Sequence, residues 1–383
     1  MRGYTSCLLF LRDGNEPCGP SSRGKKLRRH TWRRESESSG QITIGGQSGG
    51  TSKTGALAAC PYQKGRVKRV INQSALNWDV RYLTVEEAEK QAARFFEAVG
   101  VDPEISLEEL RGIDAEVFYK PLPPADFFDP EAVRIPGSMV VDGDYVESGD
   151  HVAMLEKYAS YCDYISGVNN GESRMGLGFF LGGSGPMTAK QFYENAREML
   201  GEELYAKYDF ENLVRVTDEN AGRISRYLAA RGLSGGFAAG YKSRYFGQYR
   251  AEKGDAGRTY AYLFSRIPPT REEDERPGSG RGREFLLSWH SAELWYTFAS
   301  LRDNVPPARP WEARDFELAR EMCDYWANFM RTGDPNGDGL KYWPTAADGS
   351  WIDFADETEV HEGEDELDPM IREFSEKHGF IPQ

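Results

Sequence analysis

Short apolar runs alternate with amphipathic stretches along most of this chain, from Ile42 to the C-terminus. Four of the runs are short and rich in β-branched or aromatic residues, which predicts buried strands: Ile42 to Ile44, Val67 to Asn72, Tyr164 to Val168 and Thr259 to Phe264. The stretches between them repeat apolar residues at helical spacing. Because strands and helices alternate, we expect an α/β fold with a mostly parallel sheet and helices on both faces.

The predicted helices carry start and stop signals. Three hydroxyl residues stand three positions before Glu or Gln, which is the capping-box pattern of a helix start: Thr84, Ser106 and Thr188. Three glycines follow the last periodic residue of a stretch, which predicts a helix end: Gly100, Gly201 and Gly333. A long amphipathic helix is predicted over about Phe316 to Arg331, and a helix rich in small residues over Thr51 to Ala59.

The composition is that of a folded, acidic protein. The 383 residues are 39% hydrophobic and carry a formal net charge of -14 at pH 7, and a chain of this length can bury a sizeable core. Phosphate backbones and anionic lipid surfaces bind clustered Lys and Arg, so we expect neither nucleic acid nor a membrane surface as a partner. No run approaches the roughly 18 apolar residues of a membrane span.

The first forty residues differ in texture from the rest. They hold nine basic and four acidic residues, and Ser, Gly, Pro and Arg dominate from Gly14 to Gly40. We therefore predict an irregular, disordered basic tail over residues 1–40 and a folded domain over residues 41–383. Contact of the basic run Lys25 to Arg29 with nucleic acid is the less favoured alternative.

The five cysteines form no metal or disulfide pattern. They are widely spaced, without a CxxC pair or a Cys/His cluster at zinc spacing: Cys7, Cys18, Cys60, Cys162 and Cys323. Small apolar side chains in a reducing compartment are the simplest interpretation. The apolar run from Cys7 to Leu11 is too short for a signal-peptide core. We therefore expect a soluble, cytoplasmic protein.

A nucleophile-elbow pattern, G-x-S-x-G, occurs at Gly46-Gln47-Ser48-Gly49-Gly50. A serine on such a sharp strand-to-helix turn has strained backbone geometry, and side chains at the flanking positions would clash. The turn lifts the hydroxyl above the sheet, and the amide of Gly49 at the helix start can donate to an oxyanion. A structural glycine turn is the alternative, but the preceding strand and the following helix favour the elbow.

A nucleophilic serine needs a histidine base and a carboxylate that orients this base. Among the five histidines, His290 follows a glycine-rich loop, Pro277 to Gly282, at a loop-to-helix entry that is typical of a hydrolase histidine. His151 has the position of a helix start, and a structural role is the ordinary alternative for a single histidine. Glu172 follows a predicted strand in a tight polar turn, where it can hold an imidazole. The order Ser48, Glu172, His290 is that of the α/β-hydrolase triad.

Six segments, taken in order, resemble the type-B carboxylesterase family. Ile42 to Gly50 is similar to the family's strand and elbow, with Gln47 and Gly50 where Glu and Ala are commoner, and Lys68 to Ser74 is similar to its next strand. The other four segments are Val140 to Gly143, the acid-bearing turn Gly167 to Glu172, the H-x-x-E-L segment His290 to Leu294, and Ala327 to Asn336 followed by Trp343-Pro344. The resemblance covers about Gly40 to the C-terminus.

This resemblance implies an α/β-hydrolase that cleaves small carboxylic esters through an acyl-enzyme, without a metal or an organic cofactor. The catalytic residues that it implies are the nucleophile Ser48, the acid Glu172, the base His290 and the oxyanion donor Gly49. Glu293 then becomes a structural partner near the histidine loop, and Asp142 marks a turn. Trp289 either lines a substrate pocket or packs in the core.

One departure from the family concerns its N-terminal part. About forty residues precede the elbow strand, and none resembles the family's first strands or its HGGG-type oxyanion loop. We therefore expect a chain that lacks those strands, through a truncated gene, a frameshift or a wrongly assigned start. The strand Ile42 to Ile44 would then have one unpaired edge. Catalysis would be impaired, because one oxyanion donor is worth about 10²- to 10³-fold in rate.

Two other functions stay open. An inactive hydrolase-fold binding module, or a gene fragment, would have the same scaffold, although all three triad positions are filled in this chain. The same triad also permits amide or thioester cleavage. The pattern leaves the acyl and alcohol groups of the substrate and the oligomeric state open.

Overall fold

The computed structural model of the chain describes Cys7–Phe10 and residues 42–74, 82–122, 133, 139–172, 187–233, 240–276, 281–302 and 309–381. The strands are β1 (Cys7–Phe10), β2 (Ile42–Gln47), β3 (Val67–Gln73), β4 (Leu83–Thr84), β5 (Val140–Val141), β6 (Asp163–Asn169), β7 (Thr259–Phe264), β8 (Trp351–Phe354) and β9 (Thr358–His361). The helices are α1 (Gly49–Ala58), α2 (Val85–Val99), α3 (Leu107–Arg111), α4 (His151–Ala159), α5 (Ala189–Lys207), α6 (Phe210–Leu213), α7 (Ala221–Arg231), α8 (Gly240–Glu252), α9 (Arg283–Leu286), α10 (Leu294–Thr297), α11 (Ala313–Thr332) and α12 (Asp368–Lys377). The predicted alternation of strands and helices is confirmed.

Seven of these strands form one mostly parallel sheet, in the order β1-β2-β3-β6-β7-β8-β9. The strands from β2 to β8 pair in parallel. At the two edges, β1 and β9 pair antiparallel to their neighbours. Strands β4 and β5 form a separate parallel pair. The predicted fold class, a mostly parallel α/β sheet, is confirmed.

Helices cover both faces of the large sheet. Val70 and Tyr164 lie in an apolar core that includes residues of α4, α5, α8 and α12. Their chain neighbours Ile71 and Ile165 lie in a second core, which includes residues of α11. Successive residues of a strand point to opposite faces, so one helix layer packs on each side. The C-terminal ends of the parallel strands consequently meet along one open edge of the sheet.

The predicted helix ends are confirmed, with one exception. Complete capping boxes stand at all three predicted starts: Thr84, Ser106 and Thr188. Gly100 and Gly333 end α2 and α11 with left-handed φ angles of 78° and 80°. The exception is Gly201, where φ is 76° and ψ is 157°, because α5 is interrupted there but continues to Lys207.

The free edge of β2 is paired over four residues. Cys7–Phe10 forms β1, antiparallel to β2, with Leu9 opposite Ile44. The expectation that Ile42 to Ile44 has an unpaired edge is therefore wrong, because part of the basic N-terminal segment supplies main-chain groups to that edge. The rest of the predicted tail lies outside the described residues. The boundary between residues 1–40 and 41–383 stays a prediction.

Within the described ranges, no helix has the length and apolarity that a membrane crossing requires. The same part of the chain holds no cluster of three His, Cys, Asp or Glu side chains that could bind a metal ion. Cys162 is buried and donates to the Val67 carbonyl at 3.3 Å. Burial raises the pKa of this thiol to about 12, so it is an unreactive core residue.

Candidate active site

The elbow turn joins β2 to α1 at the C-terminal edge of the sheet. Ser48 lies between them with φ 55° and ψ -125°, a strained conformation for a residue that has a side chain. Its amide donates to the Gln73 carbonyl at 2.9 Å, and its carbonyl accepts the amide of Thr51 at 2.9 Å. One bond ties the turn to the neighbouring strand and the other to the helix, so the backbone fixes the position of Ser48.

Two glycines shape this turn for different reasons. A Cβ atom on Gly46 would lie 2.4 Å from the carbonyl carbon and oxygen of Gly50, so only glycine lets the strand and the helix approach so closely. Gly49 is the first residue of α1, and the first amides of a helix have no intrahelical acceptor. An amide next to the serine, at the positive end of a helix, is suited to bind an oxyanion.

Glu172 and His290 come together from positions 118 residues apart. Oε2 of Glu172 lies 2.5 Å from Nδ1 of His290, and both side chains are more than nine-tenths buried. The other carboxylate oxygen, Oε1, accepts the amide of Asn169 at 2.9 Å. A carboxylate that is held at both oxygens fixes the orientation and the tautomer of the imidazole ring.

A backbone bridge holds the acid turn against the histidine loop. Gly171 forms a parallel bridge with Trp289, and its amide donates to the Ser288 carbonyl at 3.0 Å. The side-chain amide of Asn169 donates to the Trp289 carbonyl at 2.8 Å. A Cβ atom on Gly171 would lie 2.5 Å from the Leu286 carbonyl oxygen, so a larger residue would push the two segments apart. This packing explains why Glu172 stands in a glycine-containing turn.

Glu293 is a second carboxyl group whose charge acts on the imidazole of His290. Its side chain is fully buried. Oε2 accepts the side-chain amide of Asn169 at 2.6 Å, and Oε1 accepts the hydroxyl of Ser74 at 3.3 Å and the amide of Gln73 at 3.4 Å. Burial, reinforced by the charge of Glu172, raises the pKa of Glu293 to about 7. These contacts fit the structural role that the family resemblance implied for Glu293. Nothing in the sequence indicated that its carboxyl group titrates near neutral pH.

Opposing effects act on the pKa of His290. Burial lowers it, whereas the hydrogen bond with Glu172 and the negative charges of Glu172 and Glu293 raise it, and the net result is a raised pKa. An imidazole accepts a proton only in its neutral form. Any reaction that uses His290 as a base should therefore accelerate as the pH rises through this pKa.

Ser48 and His290 do not contact each other through a hydrogen bond in this structure. Nε2 of His290 lies 3.3 Å from the side-chain nitrogen of Gln47. Within the described part of the chain, the Ser48 hydroxyl donates to and accepts from no other group, and it does not cap α1. The structure thus joins two of the three predicted residues and brings Gln47 to the ring atom that would face the serine. The pattern G-x-S-x-G gave no role to this position.

Strained backbone is concentrated around these residues. Six non-glycine residues have positive φ angles in the described part of the chain, and four of them flank the site: Ser48, Ser74, Leu287 and Ser291. Each such conformation costs about 1–3 kcal/mol and persists only where the surrounding structure enforces it. The clustering marks this edge of the sheet as the candidate active site on geometry alone.

Other residues singled out from the sequence have structural contacts. Asp142 accepts two backbone amides at 2.9 Å, as a turn residue does, and His151 begins α4. Trp289 is half-buried, with its ring centroid 5.6 Å from that of Trp295 and the Arg309 guanidinium 4.4 Å above it. In the glycine-rich loop before the histidine, residues 277–280 lie outside the described residues.

Comparison with known families gives a clear result. The profile described as Carboxylesterase family matches residues 38–368, which is most of the chain. The chain belongs to the carboxylesterase family. The predicted α/β-hydrolase fold and the resemblance to carboxylesterases are therefore both confirmed.

Curated relatives of this carboxylesterase-family chain include several hydrolases. It is 28% identical over 332 residues to the medium-chain fatty acyl-CoA hydrolase precursor of Anas platyrhynchos, which covers 80% of this chain and 52% of that protein. It is 24% identical over 318 residues to bile salt-activated lipase of Bos taurus, which covers 77% and 49%. It is 23% identical over 327 residues to liver carboxylesterase of Sus scrofa, which covers 80% and 54%. The chain thus spans about half the length of these relatives.

Proposed function

We propose that this chain is a serine carboxylesterase that hydrolyses small carboxylic esters through Ser48, Glu172 and His290. The observation that carries the proposal is the 2.5 Å contact between Glu172 Oε2 and His290 Nδ1, on the sheet edge where the strained Ser48 turn also lies. Membership of the carboxylesterase family supports ester hydrolysis as the type of reaction.

The first half of the proposed reaction forms an acyl-enzyme. The Ser48 oxygen attacks the ester carbonyl carbon while His290 takes the hydroxyl proton at Nε2. Glu172 stabilises the imidazolium through Nδ1, and the amide of Gly49 donates to the carbonyl oxygen as it becomes an oxyanion. The tetrahedral intermediate then collapses, the bond to the alkoxy oxygen breaks, and His290 returns the proton to the departing alcohol.

The second half releases the acid. A water molecule attacks the acyl carbon, and His290 takes one of its protons. When this second tetrahedral intermediate collapses, the bond to the Ser48 oxygen breaks, and His290 protonates that oxygen. The products are one carboxylic acid and one alcohol, and the enzyme returns to its starting state without a metal or an organic cofactor.

We expect slow turnover, because the proposal assigns a single oxyanion donor, Gly49. Each donor of this kind is worth about 10²- to 10³-fold in rate. Formation of the acyl-enzyme and its hydrolysis both pass through an oxyanion, so both steps should be slowed. Covalent labelling of the serine is therefore a more sensitive test than turnover.

A second candidate function is a non-catalytic binding scaffold. The observation that favours it is the contact of His290 Nε2 with Gln47, at 3.3 Å, in place of the Ser48 hydroxyl. A serine without a base would be no more nucleophilic than an ordinary alcohol. The two candidates differ in one measurable property, the reactivity of Ser48.

Intact-mass analysis after treatment with a fluorophosphonate probe tests the proposal. We expect one adduct on the wild-type chain, none on Ser48→Ala, and an adduct at the wild-type rate on Ser52→Ala, which removes a neighbouring hydroxyl of α1. No adduct on a folded wild-type chain would refute the esterase and favour the binding scaffold. Circular dichroism of each variant shows that it is folded.

The substrate class requires a second measurement. One relative is named as a fatty acyl-CoA hydrolase and another as a bile salt-activated lipase. Steady-state hydrolysis of p-nitrophenyl acetate, p-nitrophenyl decanoate and decanoyl-CoA compares a short ester, a longer ester and a thioester. We expect the short ester to have the highest kcat/KM, and a preference for the thioester would replace the ester assignment.

A further inference from the structure

The side chain of Gln47 occupies a position in the site that its place in the elbow pattern does not explain. Gln47 is the last residue of β2, directly before Ser48, and its side chain is buried. The side-chain nitrogen lies 3.3 Å from Nε2 of His290, although the two residues are 243 positions apart in the chain. An amide nitrogen only donates, so this contact requires a lone pair on Nε2.

A lone pair on Nε2 determines the tautomer of His290. The ring is then neutral, and its hydrogen is on Nδ1, where it is donated to Glu172 Oε2 at 2.5 Å. This is the tautomer that a general base needs. In the proposed reaction, the same lone pair is also the acceptor for the Ser48 proton. The neighbouring residues Gln47 and Ser48 would therefore both donate to Nε2 of His290.

We propose that Gln47 is a positioning residue, which holds His290 in its neutral, Nδ1-protonated form by donating to Nε2 and thereby competes with Ser48 for that atom. The inference rests on the proposed function, because the competition matters only if Ser48 is the nucleophile. It deepens that function by naming the side chain that controls the meeting of serine and base.

The charges that face the imidazole act in the opposite sense to Gln47. Glu172, after β6, and Glu293, before α10, both favour the imidazolium. The Gln47 amide is neutral and stabilises the neutral ring. When Nε2 gains the serine proton, the amide N–H faces another N–H, and the hydrogen bond is lost.

Glutamate at this position would behave differently, since an ionised carboxylate is only an acceptor. It would add a third negative group beside the ring and favour the imidazolium throughout. Methionine, which has a similar length, would do neither, because it has no strong donor. The pKa of His290 should therefore increase in the order glutamine, methionine, glutamate at position 47.

The experiment is an NMR titration of His290 in the full-length chain with ¹⁵N- and ¹³C-labelled histidine. The sequence has five histidines, and the His290 signal is assigned as the one absent from His290→Gln. The ¹⁵N shifts report the tautomer, and the pH dependence reports the pKa. This readout does not require hydrolysis of any substrate.

We expect the pKa of His290 to rise by about 0.5 to 1 unit in Gln47→Met, because one neutral hydrogen bond to the unprotonated ring is lost. In Gln47→Glu we expect a rise of about 1 to 3 units, from the new carboxylate. Asn72→Leu is the matched control, since it removes a buried amide of β3 that bonds to Thr54 and not to the ring. The His290 pKa should be unchanged in that variant.

Fluorophosphonate labelling provides the second readout. At a pH above both pKa values, Gln47→Met should label about 2- to 10-fold faster than wild type, since Nε2 is free to accept from Ser48. An unchanged His290 pKa in folded Gln47→Met would overturn the inference. If Gln47→Met does not fold, Gln47→Glu decides, and a pKa that fails to rise there has the same meaning.

The failure of this inference is distinct from that of the proposed function. If Ser48 is not labelled but the His290 pKa rises in the Gln47 variants, the esterase is refuted and the positioning role of Gln47 is supported. If Ser48 is labelled but the His290 pKa is unchanged in the Gln47 variants, the esterase is supported and that role is refuted.

Discussion

Glu172 and His290 are tied together by side-chain and backbone contacts, whereas Ser48 is held by its backbone alone. The acid and the base share a 2.5 Å contact, and the Gly171–Trp289 bridge joins the segments that carry them. On the other side of the site, hydrogen bonds of its backbone amide and carbonyl fix the Ser48 turn. The side-chain nitrogen of Gln47 contacts Nε2 of His290. After their proposed roles, we call the Glu172–His290 pair the orienting half of the site and the Ser48 turn the nucleophile half.

The difference follows from where each half is encoded. The Ser48 turn needs one strand, one turn, one helix and a bond to the next strand at Gln73, all within residues 42–73. The acid–base pair needs two loops from distant parts of the chain, and it is stabilised by contacts that exist only in the folded sheet. Five substitutions, taken from the largest expected effect to the smallest, test this division.

The largest effect is expected for Glu172→Gln. The neutral amide cannot stabilise the imidazolium, and it permits the wrong tautomer, so kcat for p-nitrophenyl acetate should fall about 10⁴-fold. Glu147→Gln, at a carboxylate that bonds to Lys157 on the surface, is the control and should keep the wild-type kcat. A loss below about 10-fold in Glu172→Gln would mean that Glu172 is not the orienting acid.

Gly171→Ala and Gly46→Ala separate the two halves from each other. Each new Cβ atom would meet backbone at 2.5 Å or closer, so each variant should lose about 1–3 kcal/mol of unfolding free energy. Each should also label about 10²-fold more slowly, since small misplacements carry such penalties. Only Gly171→Ala should lower the pKa of His290, because it moves Glu172 away from the ring.

The control for this pair is Gly149→Ala, whose Cβ atom would meet the Val141 side chain at an ordinary 3.9 Å. It should match wild type in urea unfolding and in labelling. If Gly46→Ala lowers the His290 pKa as much as Gly171→Ala does, the two halves are not independent, and the comparison fails.

Glu293→Gln should change the pH dependence of stability. The native pKa of Glu293, about 7, is above its ordinary value of 4.5. The native state therefore binds this proton more tightly than the unfolded state does, and stability falls as the pH rises from about 4.5 to 7. Relative to the glutamine variant, wild type should lose about 3 kcal/mol across that window.

Urea unfolding at closely spaced pH values measures this difference. Asp353, whose pKa burial also raises to about 7, is present in both proteins, so its contribution cancels. If the free energies of unfolding of wild type and Glu293→Gln differ by a constant amount from pH 4.5 to 7, the native pKa of Glu293 is not raised.

Thr54→Val should have the smallest effect. Its hydroxyl donates to Asn72 at 2.7 Å and links α1 to β3 beneath the elbow. Loss of this buried hydrogen bond should cost about 1 kcal/mol of unfolding free energy, seen as a lower melting temperature. The labelling rate should change less than about 3-fold, because the backbone bonds of Ser48 remain. A larger drop would show that the nucleophile half depends on side-chain contacts after all.

Local patterns predicted much of this architecture. The capping boxes, the left-handed Gly100 and Gly333, and the strand–turn–helix around Ser48 each depend on residues that are neighbours in the chain, so their spacing is visible in the sequence. Chain order and resemblance to a family predicted Glu172 and His290, whose catalytic roles stay predictions. The cytoplasmic location and the absence of a nucleic-acid partner stay predictions.

Contacts between distant residues escaped the same reasoning. The pairing of Cys7–Phe10 with β2 adds an antiparallel edge strand. The first forty residues show no alternation of apolar and polar residues that would predict it. The Gln47–His290 contact spans 243 positions, and the buried Glu293 is contacted by residues at the ends of β3 and β6. Such features arise from packing of the whole sheet, which propensity and periodicity do not encode.

The bridge between Gly171 and Trp289 also has a consequence for synthesis. A chain made from its N-terminus exposes the Ser48 turn long before the histidine loop has left the ribosome. Under the proposed function, Ser48 has no base until the histidine loop closes on the turn that carries Glu172. The nascent chain would then resist acylation at Ser48, and reactivity of this serine would be a late marker of maturation.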